Sequence, residues 1–153
     1  MSILKKKKDF QKNILYFFLE LPSQCGKPYI LDWTPTFVDI SWIGPAKDGG
    51  APIECFILQV KETTMRDWMD NCTLNVQDIE HEGDFYRGRC ENLEEEYEYR
   101  IRVIAVNKAG KSQPGPSSDS VVAMHKNVSP FIKVMKEINQ KNSMLLEEFF
   151  KLN

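Results

Sequence analysis

From Lys27 to Lys126 the apolar side chains recur with a period of two, not the 3.6 of a helix. In Phe37-Val38-Asp39-Ile40-Ser41-Trp42, the residues Val38, Ile40 and Trp42 share one face, while Asp39 and Ser41 share the other. Phe56, Leu58 and Val60 alternate with Ile57, Gln59 and Lys61, and further strand-like runs cover 67–74, 85–90 and about 119–124. The clearest run is 97–107, where Tyr97, Tyr99, Ile101, Val103 and Ala105 alternate with Glu98, Arg100 and Arg102. A helix scatters residues of that spacing around its circumference, whereas a strand gathers them on one face. The pattern predicts β-strands throughout this segment.

Turn chemistry separates the runs. Gly44-Pro45 and Asp48-Gly49-Gly50-Ala51-Pro52 break the chain after Trp42, Asn107-Lys108-Ala109-Gly110 closes the longest strand, and Gln113-Pro114-Gly115-Pro116 bars a helix. Short strands with turn signals every ten to fifteen residues or so describe an antiparallel β-sandwich. Beyond it the spacing changes. Pro130 at a first helical position, then Phe131, Val134, Met135 and Ile138, with Leu145, Leu146 and Phe149 farther on, predicts an amphipathic helix capped by Ser129.

The 153 residues suffice for one domain with tails, which needs no disulfide or metal staple. Residues 1–25 form an N-terminal tail or linker, 26–126 the domain, and 127–153 a C-terminal linker or amphipathic helix. No apolar run nears the roughly 20 residues of a membrane span, and Asp9, Gln11, Lys12, Asn13 and Glu20 interrupt what a secretory signal keeps apolar. A soluble chain with no membrane association is expected. Residues 26–125 carry ten basic and seventeen acidic side chains, a balance that argues against nucleic acid as a partner. The Lys5-Lys6-Lys7-Lys8 run reads as a solvated tail.

Chemistry that would support catalysis is sparse. There is no Gly-x-Ser-x-Gly elbow, phosphate loop or His-Glu-x-x-His, and Cys25, Cys55, Cys72 and Cys90 show no zinc spacing with His81 or His125. Glu94-Glu95-Glu96 falls on a predicted turn as a solvated face. No enzymatic activity, metal or cofactor is expected. Alternation turns Cys90 inward and Cys55 outward. Asn71-Cys72-Thr73 and Asn127-Val128-Ser129 fit the glycosylation sequon, which has meaning only in a secreted chain.

Trp42, then Pro45 and Asp48-Gly49-Gly50-Ala51-Pro52-Ile53, resembles the second-strand tryptophan and following corner of fibronectin type III domains. Leu93, Tyr99, Ile101-Arg102-Val103, Ala105, Asn107 and Ala109-Gly110 resemble a second motif of that family, and Pro114 with Ser117-Ser118 its run into the last strand. Asp32-Trp33, Trp68 and Asn-Lys-Ala-Gly make the likeness strongest to the type III domains of titin and twitchin, the giant intracellular muscle proteins. Two departures stand out: Glu94-Glu95-Glu96 replaces a turn that normally contains Gly, and Ile101 stands where Phe is common.

The resemblance implies a seven-stranded, immunoglobulin-like all-β sandwich, with the C-terminal helix outside it. Its core would comprise Val38, Ile40, Trp42, Phe56, Leu58, Leu93, Tyr99, Ile101, Val103 and Ala105, with Tyr99 as the tyrosine corner. Trp33 and Trp68 either pack on a sheet edge or stay part-exposed as partner contacts. The implied function is a structural and protein-binding module of a sarcomeric, cytoplasmic filament protein. Its implied partners are neighbouring immunoglobulin or type III domains and thick-filament proteins such as myosin. Two alternatives stay open: an adhesion-molecule or receptor ectodomain, and a regulatory domain beside a kinase.

Overall fold

The computed structural model describes residues 18–126 and 130–151; the Lys5–Lys8 run and Ser129 lie outside them. The alternating segments become β1 (Tyr29–Trp33), β2 (Val38–Ile43), β3 (Cys55–Glu62), β4 (Met69–Asn75), β5 (His81–Glu82), β6 (Phe85–Cys90), β7 (Glu98–Asn107), β8 (Gly110–Lys111) and β9 (Val121–Val122). A four-stranded sheet runs β1-β2-β6-β5, and a second runs β4-β3-β7-β8 with β9 also on β7. All the pairings are antiparallel. Helix α1 (Pro130–Lys151) follows as one uninterrupted element, starting on the proline whose missing N–H costs a first helical turn nothing. Val134, Ile138 and Leu145 on it are exposed.

The two sheets close on Trp42. Its ring meets Phe56 of the opposite sheet edge-on at 5.2 Å and lies near-parallel to Tyr86 at 6.1 Å, while Phe56 and Tyr86 sit 4.6 Å apart. Room for the indole comes from Gly88, where an added Cβ would lie 3.1 Å from the Trp42 ring and 2.5 Å from Leu74. Val38, Ile40, Trp42, Phe56, Leu58, Leu93, Tyr99, Ile101, Val103 and Ala105 all lie in the buried cluster, together with Cys25, Cys90, Val121 and Ala123. A buried tryptophan of about 200 Å² contributes several kcal/mol through area alone. The Tyr99 hydroxyl accepts a hydrogen bond from the Glu94 N–H at 3.1 Å and holds the turn before β7.

Strand β7 is flanked on both sides. All eight residues of β3 pair with it, from Cys55↔Val106 to Glu62↔Tyr99. On its other edge runs the Pro-rich segment after β8. Pro114 and Pro116 have no N–H to give, so a continuous ladder is impossible there. Instead Ser112, Gly115 and Ser118 donate their N–H groups to Ala105, Val103 and Ile101. The Ser112 and Ser118 hydroxyls accept the N–H groups of Ala105 and Ile101, each at 3.0 Å. The expected strand over 119–124 is reduced to Val121–Val122, paired with Tyr99 and Glu98.

Three further differences from the alternation pattern have physical causes. Nine strand segments appear instead of seven, because β5 and β8 are two-residue pairings beside tight turns. Strand β1 does not show as an alternating run, since this edge strand carries a bulge between Ile30 and Asp32 that spoils the period. Tyr97 precedes β7 and is exposed, unlike Tyr99, Ile101, Val103 and Ala105.

The Glu94–Glu96 turn carries backbone strain. Glu96 has φ +75°, a left-handed conformation that suits glycine, held there by its N–H bond to Ala123 O at 2.8 Å. Glu96→Gly should therefore stabilise the domain by up to about 1 kcal/mol, read as a higher urea midpoint at unchanged m-value.

Candidate functional site

The described chain enters the sandwich at one end, around Glu20, and leaves it at the other, around Lys126, and it is fastened at both points. At one end, Glu20 donates its N–H to Gly49 O at 2.8 Å, and Ser23 and Lys47 exchange backbone and hydroxyl bonds. Gly49 has φ +77°, and a Cβ on it would lie 2.0 Å from Glu20 O. Asn107, at the end of β7 and only 3% exposed, joins three segments. Its Nδ2 donates to Glu20 O at 2.8 Å and Asp48 O at 2.6 Å, while its Oδ1 accepts the N–H groups of Ala109 and Gly110. An open cleft of about 840 Å³, bordered by the exposed Phe18 and Leu21 and by Pro45–Gly50, lies beside this knot.

At the other end Asp32 and Trp33 hold Lys126. Lys126 pairs with Asp32, its Nζ lies 5.3 Å from the Trp33 ring centre, and Asp32 accepts the Trp33 N–H at 2.7 Å. The Lys126 ammonium and then the Trp33 N–H hold the Asp32 carboxyl below its usual range. Asp119 is lowered in the same way by Lys27, 2.7 Å away.

Of the two expected partner contacts, Trp33 packs against the core rim and Trp68 lies just before β4 in the other sheet. The structure does not bring them together into one site. Trp68 is half-buried with Arg102 at 4.3 Å and Lys61 at 5.6 Å from its ring. On the smaller sheet, Arg89 grips Asp39 through two bonds of 2.6 and 2.9 Å and lies 3.7 Å from the Phe37 ring centre. Asp39 raises the Arg89 pKa.

The four cysteines are free thiols. Burial pushes Cys25 up to about 12 and raises Cys90 further, so neither is poised as a nucleophile. Among the described residues no group of three or more His, Cys, Asp and Glu is placed to hold a metal ion. Asn71 is structural in its geometry: its amide donates to Glu91 O at 2.7 Å and accepts the Glu91 N–H at 3.1 Å, joining β4 to the end of β6. Sequence reasoning misses the Asn107 knot and the Arg102–Trp68 contact, although Asn107 and Arg102 both stand in the second motif.

Comparison with known proteins agrees with this geometry. The fibronectin type III domain model matches residues 29–121. Human cardiac-type myosin-binding protein C is 31% identical over 108 residues, covering 71% of this chain but 8% of that protein. A titin structure spanning domains A168–A170 superposes with a TM-score of 0.61 at 26% identity, covering 69% of this chain and 33% of that one. The twitchin kinase region of C. elegans gives 0.61 at 23% identity over 72% of this chain and 18% of that one, a likeness of fold.

Two expectations follow from the fastened ends. Asn107→Ala should cost about 1–3 kcal/mol in urea unfolding, because it removes four hydrogen bonds that a nearly buried amide makes to part-buried backbone groups of three segments. The folded pKa values of Asp32 and Asp119 lie below their unfolded ones, so their stabilisation is complete above about pH 4 and disappears as pH falls through the folded values. The double variant Asp32→Asn, Asp119→Asn should lose less stability than the parent between about pH 5 and pH 2, followed by thermal melts. By fold, motif and sequence this chain belongs to the fibronectin type III family, and its relatives include domains of muscle proteins.

Proposed function

We propose that the chain is a non-catalytic spacer and protein-binding module of a titin-like, filament-associated muscle protein, joined to immunoglobulin or type III neighbours. The observation that carries this reading is the position of the two ends. Chain enters beside Asn107 and leaves beside Tyr97, so the length of β7, roughly 30 Å at the usual strand rise, separates the attachment points. Tension applied there runs along the strands and loads many cross-strand hydrogen bonds together. The chain covers less than a tenth of the myosin-binding protein C it resembles, so partners of the whole protein enter as part of the proposal.

The partner class is thick-filament protein, with myosin first, by likeness to a relative named for binding it. A reducing, sarcomeric location suits four unpaired thiols. It also suits Asn71, since a glycan on that amide would disrupt its contacts with Glu91.

Co-sedimentation of the full chain with myosin filaments tests the binding half of the reading. The chain should pellet with filaments at about 0.05 M salt and be released as salt rises to about 0.3 M, where surface charges are screened. A chain that stays in the supernatant at low salt would remove myosin as partner.

A further inference from the structure

The outer face of the larger sheet carries a cluster that the core does not require. Alternation puts Phe56, Leu58, Ile101 and Val103 inside, so Gln59, Lys61, Arg100 and Arg102 face outward, in pairs fixed by the register Gln59↔Arg102 and Lys61↔Arg100. Lys111, opposite Val106, joins the same face. The carboxylates on its strands are Asp70 and Glu98, and both accept hydrogen bonds: Asp70 from Gln59 Nε2 at 2.6 Å, and Glu98 from Thr63 at 3.0 Å. At the margins Asp119, paired with Lys27, lies near Arg100, and Glu54 lies near Lys111. Asp67 lies in the bend ahead of Trp68. Along β3 and β7 themselves the outward cations Lys61, Arg100 and Arg102 outnumber the one outward carboxylate, Glu98, in a domain segment that is strongly acidic as a whole.

Arg102 differs from the other well-placed cations. Arg89, Lys27 and Lys126 each have a carboxylate partner. Arg102 makes one hydrogen bond, Nε to Gln59 Oε1 at 2.7 Å, and no ion pair among the described residues. A guanidinium has five N–H donors, so the outer fork is left to pair with something else. The group is also partly desolvated, which lowers its pKa against the pull of Asp70. Its Cζ lies 4.3 Å from the Trp68 ring centre, with Lys61 Nζ 5.6 Å from the same ring. A pre-oriented fork on an aromatic plate, with a second cation beside it, is complementary to a carboxylate. Tryptophan and arginine are also the residues in which interface energy concentrates.

We infer that Arg102, Trp68 and Lys61 form a docking site for a carboxylate-rich segment of a partner protein, with Arg100 and Lys111 extending it along the sheet. This rests on the reading of the chain as a binding module and adds the face and the partner chemistry. An acidic strand laid across β3 and β7 would give Arg102 the counter-ion that Arg89 obtains from Asp39.

The test is an NMR titration of the full chain with a synthetic peptide of alternating Glu and Ser. The expected result is a saturable shift of the Trp68 indole N–H and the Arg102 Nε–H, with the Trp42 indole unmoved. Arg102→Gln should weaken binding at least about tenfold, and Arg102→Lys, which keeps the charge but loses the fork, by nearly as much. The exposed-end variant Lys61→Gln should weaken it by a smaller factor, and replacing Lys5, Lys6, Lys7 and Lys8 with serine should leave the Trp68 shift intact. Affinity unchanged by Arg102→Gln, shifts lost with the Lys5–Lys8 replacements, or an equal Trp68 shift from polyphosphate would overturn the assignment. Any of those results would leave the spacer role and the myosin co-sedimentation test standing.

Discussion

Strand β7 has to be dry on one side and paired along both edges, and most of the molecule is arranged around that requirement. Ile101, Val103 and Ala105 on its inner face meet the cluster built on Trp42 and Phe56. One edge is satisfied by the eight-residue register with β3, the other by a segment whose prolines prevent ordinary pairing. There the hydroxyls of Ser112 and Ser118 replace backbone acceptors, and both serines are almost fully buried as a result. An unpaired N–H at Ile101 or Ala105 would cost a few kcal/mol at the centre of the fold. The same strand carries the functional geometry: Asn107 ties the incoming chain at one end, Tyr99 steadies the turn at the other, and Arg102 faces out between them.

Period-two alternation makes β2, β3 and β7 legible from sequence, because one face of each strand is buried in the core and the other is not. It fails where neither face is fully buried or the register is irregular. Strand β1 is a bulged edge with Tyr29 and Leu31 exposed, and its residues show no clean period. The segment 112–118 follows β7 without strand-like composition, since serine hydroxyls do the pairing. Tyr97 fits the alternation in sequence yet sits beyond the strand, where alternation no longer dictates its side.

The site is harder to read than the fold. Trp33 and Trp68 are recognisable as aromatics without an obvious place in the core, but linear sequence does not reveal that they belong to different sheets. The Arg102–Trp68 contact depends on β3 lying between β4 and β7, a cross-strand fact that no local spacing encodes. The Asn107 knot joins residues 59 and 87 positions apart. Gly88 is silent for a similar reason: its value lies in the Trp42 ring above it, on a neighbouring strand. Glu96 is the opposite case, where an unusual residue in a motif points directly to a strained backbone.

Native-state hydrogen exchange examines the central role of β7 most directly. The amides of Ile101 through Ala105 should exchange only through global unfolding, with a free energy equal to that from urea denaturation, while the Glu20 and Thr63 amides exchange through smaller openings. Exchange of Ile101–Ala105 at the rate of the turn residues, with protection concentrated elsewhere, would contradict this account of the fold.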